Sequence, residues 1–97
     1  MTPEQRSGLA RLMLRLPHVR AALPRAVDVN PLLRELCGDY EVATVASKHW
    51  AVSMAAQAPE IAHEYARALL EIEREVELRT VSNEPLPQPP RLQRDVF

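Results

Sequence analysis

The chain has 97 residues, enough for one domain, with twelve basic and thirteen acidic side chains and a formal charge of −1. That balance argues against a protein held along its length to nucleic acid, although a local basic face is still open to it. A single cysteine excludes an intramolecular disulfide or a Cys-rich metal centre, and two glycines exclude a Gly-rich phosphate loop.

Charge and proline divide the chain. Residues 1–25 hold five arginines against Glu4, a net of +4, whereas residues 59–83 hold three basic and six acidic residues, a net of −3. A basic head and an acidic body can orient one segment, or one subunit, against another. No apolar run approaches the roughly 20 residues a membrane span needs, and the N-terminus lacks a secretory core. A cytoplasmic location without membrane contact is the expectation.

Thr2 as cap, Pro3 at the first position and Gln5 at capping-box spacing predict a helix over 3–16. Leu9, Leu12, Met13 and Leu16 form its apolar stripe. Pro17 ends or kinks it, and residues 18–24 have room for a further turn or two before Pro24. Val27–Val29 is too short to be a strand.

Asn30 and Pro31 start a second helix, expected over 31–56. Leu33, Leu36, Tyr40, Ala43, Ser47, Trp50 and Met54 step by three and four along one seam. Val42, Val45, His49 and Val52 fall on nearly the opposite side. A helix with two apolar faces needs two neighbours and belongs at the centre. Gly38, within it, either allows close packing or marks a bend. Pro59 begins a third helix, expected over 59–80, with Ile61, Tyr65, Ala68, Leu69, Ile72 and Val76 on its buried side. Arg67–Glu71 and Glu75–Arg79 have the i,i+4 spacing of surface pairs.

Residues 83–97 carry Pro85, Pro87, Pro89 and Pro90, which exclude helix and favour polyproline II. Leu86, Leu92, Val96 and Phe97 would anchor such a strap on the bundle, and Pro87–Arg91 has the look of a ligand for an aromatic-lined groove.

Candidate chemistry is sparse. Glu60 and His63 have the Glu-x-x-His spacing of di-iron bundles, but His63 points away from the Ile61–Tyr65–Ile72 stripe. His49 beside Trp50 is either a structural histidine or a titrating group at an interface. Ser47, Lys48 and His49 point in different directions, with no orienting third group. Cys37 reads as a small buried residue, and Asp39 as a partner for Arg11 or Arg15. Arg11, Arg15, Arg20 and Arg25 form a basic surface without a recognition-helix motif.

The run Leu33-Arg34-Glu35-Leu36-Cys37-Gly38-Asp39-Tyr40, then Trp50, Glu64-Tyr65 and Leu69–Val76, resembles a group of small bacterial proteins of uncharacterised activity. Those carry Asp-Tyr in one helix and Glu-Tyr with a Leu/Glu/Ile run in the next. The resemblance spans residues 30–80 and implies a helical hairpin, with no activity attached.

Together these features predict an all-α domain over residues 1–82. Its antiparallel hairpin carries a shorter N-terminal helix, and two hairpins make a dimeric four-helix core. The expected function is a small self-associating interaction or accessory module, with itself and another protein as partners and no cofactor or catalytic residue. Two alternatives stand beside it: a metal-binding or catalytic helical dimer, and a nucleic-acid accessory protein.

Overall fold

The computed structural model describes residues 1–83 and is all-helical over them. The proline-rich segment, with the expected anchors Leu86, Leu92, Val96 and Phe97, lies outside the described residues. The helices are α1 (Pro3–Arg15), α2 (Leu23–Val29), α3 (Pro31–Ala51) and α4 (Ala58–Asn83). α3 is central: it packs against α1 on one flank and α4 on another, with α2 tucked under its first turns.

Local chemistry accounts for most boundaries. The Thr2 hydroxyl accepts from the Gln5 amide at 3.0 Å and the Gln5 side chain accepts from the Thr2 amide at 3.1 Å, so the capping box is closed. The Asn30 side chain accepts from the amides of Leu32 and Leu33, with Pro31 supplying the first position of α3.

Three features differ from expectation by more than one residue. α2 occupies residues that the prolines had assigned to connection. Pro24 sits in its first turn, where a missing N–H removes no helical hydrogen bond. α3 stops at Ala51 rather than at residue 56. The Ser53 side chain accepts from the Ala55 amide at 3.2 Å, so a local hydroxyl bond replaces the next helical turn. Met54, placed in the seam by its spacing, therefore lies in the connection and is 97% exposed. At its far end α4 runs past residue 80 to Asn83.

The core occupies one end of the molecule. Leu12, Leu16, Val19, Leu23, Ala26, Val27, Leu33, Cys37, Tyr40 and Val76 are buried together, with Leu9, Met13, Leu36, Leu69 and Ile72 packed against them. This cluster draws on the first half of α3 and the second half of α4. Beyond Ala43 no residue of α3 is buried, and between Pro59 and Glu75 none of α4 is. Among the described residues, four helices close one end and two make the other.

The closest approach lies between α1 and α3. A Cβ built on Gly8 would stand 1.7 Å from the Cys37 carbonyl oxygen, so only glycine lets the two backbones meet there. Gly38, the glycine singled out by the seam, meets nothing nearer than Gln5 Cγ at 3.3 Å. The tight contact belongs to the other glycine.

Candidate interaction surface

At the closed end, carboxylates of the long helices receive the cations of the head. The Arg11 Nε donates to Glu41 Oε1 at 2.6 Å, and the Arg15 Nε donates to Glu73 Oε2 at 3.1 Å. Glu73 Oε2 also accepts from the Tyr40 hydroxyl at 2.5 Å, which joins α1, α3 and α4 at one carboxylate. His18 pairs with Glu77 one turn further along α4. Asp39, expected to hold Arg11 or Arg15, is exposed and holds neither, because Glu41 and Glu73 face α1 instead.

These groups are arranged for structure. The hydrogen bond to Glu41 raises the Arg11 pKa, and that to Glu73 raises the Arg15 pKa. Burial, then the Glu73 bond, pushes the Tyr40 phenol up to about 12. Burial pushes the Cys37 thiol up to about 11, away from the thiolate that redox or nucleophilic chemistry needs. Arg20 and Arg25, the rest of the basic surface, are exposed.

The open end is a different surface. The second face of α3 is not covered by either neighbour: Val42 is 59% exposed, Val45 54% and His49 exposed, while Val52, expected on the same face, lies just past the end of the helix and is 79% exposed. The His49 ring stands edge-on to Trp50, with centroids 5.2 Å apart. Trp50, Ile61 and Tyr65 remain half-buried at this end, while Leu69 and Ile72, also half-buried, pack against the closed core. Leu33, Tyr40 and Val76 are buried and Leu36 half-buried in the closed core. The seam read as continuous from Leu33 to Met54 thus belongs to three environments: core, two-helix contact and exposed connection.

His63 and Glu60 are both exposed near the start of α4. Among the described residues, no group of three or more His, Cys, Asp or Glu side chains is placed to hold a metal ion. No helix there is long and apolar enough to cross a membrane.

Sequence reasoning missed Gly8, His18 and the roles of Glu41, Glu73 and Glu77. Glu73 and Glu77 were legible as an i,i+4 acidic pair, but nothing in one sequence says that Arg15 and His18 return to them. No family model, curated protein or solved structure matches the chain.

Proposed function

We propose that this protein is a self-associating interaction module. In this reading two copies join the open ends of their α3–α4 hairpins into a four-helix core, and the assembled pair presents its outer faces to another protein. The observation that carries it is the uncovered apolar stripe Val42, Val45 and Val52 beside the half-buried Trp50 and Tyr65. A two-helix layer cannot close a core by itself, whereas two such layers can.

The magnitudes are compatible. Full burial of a side chain of this type is worth about 1.5–3 kcal/mol. Val42 and Val45 already lie partly against the protein, whereas Val52 and Met54 are largely exposed, and about 1–2 kcal/mol each is a conservative mean. Doubled by symmetry, that is comparable to the roughly 4–15 kcal/mol lost on association. Trp50 and Tyr65, both half-buried, add further apolar area to the same contact.

The metal-binding or catalytic alternative has no ligand cluster among the described residues. The nucleic-acid alternative has two of its four arginines, Arg11 and Arg15, committed to carboxylates. Trp50 is the only tryptophan and stands at the open end. Its emission should shift to the blue as the concentration rises through the micromolar range. An emission maximum unchanged across that range would contradict the reading.

A further inference from the structure

His49 is exposed on α3, so it is not a histidine held by the core. It lies four positions beyond Val45 and seven beyond Val42, and residues so spaced share one flank of a helix. It therefore belongs to the uncovered apolar face, with its ring edge-on to the half-buried Trp50. Among the described residues the ring takes part in no hydrogen bond or ion pair, and Trp50 is its ring contact.

The charges around it are few and exposed. Lys48 is the charged neighbour on its own helix. Tyr40 meets Glu73 and the chain turns between Ala51 and Ala58, so the α4 residues level with His49 lie around Glu64. The charged and titratable groups there are Glu60, His63, Glu64 and Arg67, all exposed and none paired with His49. The clasp of the head, from Arg11 on Glu41 to His18 on Glu77, lies at the closed end.

An exposed imidazole exchanges its proton near neutrality, whereas covering it with apolar side chains disfavours the charged form. The contact proposed above lays a second copy over Val42 and Val45, and with them over His49. We propose that His49 is a pH-sensitive gate on self-association: the pair forms on the neutral ring and is opposed by the protonated one. This rests on the self-association reading and adds its regulation. A covered ring gives up its proton more readily, so affinity is complete above the ordinary histidine range and is lost as the pH falls below about 6.5. Each pair covers two such rings, so log Kd can rise by up to about two for each pH unit there. Lys48, one position away, adds positive charge and works in the same direction.

The test is sedimentation velocity at about pH 7.5 and about pH 5.5, on either side of the histidine range, with circular dichroism at both values as the check on folding. The unaltered chain should associate at least about tenfold more weakly at the lower pH. His49→Gln, uncharged throughout and at an exposed position, should associate equally at both. His63→Gln, also at an exposed position, should keep the pH dependence of the unaltered chain.

A dimer of equal affinity at both pH values, or a pH dependence that survives His49→Gln, would overturn the gate and leave self-association standing. Tighter association at the lower pH would overturn it as well, because a carboxylate of the other copy would then be holding the imidazolium. An unaltered chain that stays monomeric at the higher pH would remove the self-association reading, and the gate with it.

Discussion

Thr80 shows how much one hydroxyl weighs. It is fully buried in α4, and its Oγ1 has no hydrogen-bond partner among the described residues. A buried hydroxyl left unpaired costs about 1–3 kcal/mol. Thr80→Val keeps the shape and removes the unpaired group, so it should stabilise the fold by about 1 kcal/mol in urea denaturation. A loss of stability would show that the hydroxyl has a partner. Tyr40 is the opposite case, a buried hydroxyl with a strong acceptor in Glu73. Its folded pKa of about 12 lies above the ordinary 10, so the folded state holds this proton more tightly. The resulting stability is complete below pH 10 and is lost as the pH rises toward 12. Cys37 adds a similar loss between pH 9 and about 11. Stability measured against alkaline pH should therefore fall from about 9 upward. Tyr40→Phe should flatten the part above 10, and an unchanged slope there would contradict the assignment.

Among the elements, what was legible followed local chemistry and what was not followed distant contact. Thr2, Pro3 and Gln5 specify a helix start among themselves, as do Asn30 and Pro31, and both caps appear in the structure. α2 was hidden because proline inside a short segment reads as a breaker, although it is equally at home in a first turn. The end of α3 was hidden because Ser47, Trp50 and Met54 keep the helical spacing, while the turn is made by the hydroxyl of Ser53. Gly8 carries the clearest lesson. Its role is set by the carbonyl of Cys37, twenty-nine positions away in the sequence, and no local pattern announces it. Gly8→Ala would force a methyl into that oxygen, so α1 must shift off α3. The expected loss is about 2–4 kcal/mol, read as a lowered urea midpoint with an unchanged slope. Gly38→Ala, whose added methyl meets only the Gln5 side chain at Cγ, 3.3 Å away, should be far milder than a clash with backbone. Equal effects at the two glycines would contradict the close-approach account.

At the scale of the whole molecule, the candidate surface was half legible. The stripe Val42, Val45, His49 and Val52 was visible as a second apolar face, and the demand for a second neighbour followed from it. The sequence could not reveal that α1 satisfies this demand only along the first half of α3. That depends on where Gly8, Arg11 and Arg15 dock. The result is a molecule with unequal ends, a closed polar-clasped core and an open apolar pair of helices. The proposed completion of the open end is a second copy of the chain. Sedimentation velocity on the unaltered chain, from about 1 to about 100 µM, tests this most directly, because a micromolar Kd lies inside that window. The account predicts a sedimentation coefficient that rises with concentration to that of a dimer. A monomer coefficient across the whole range would contradict it.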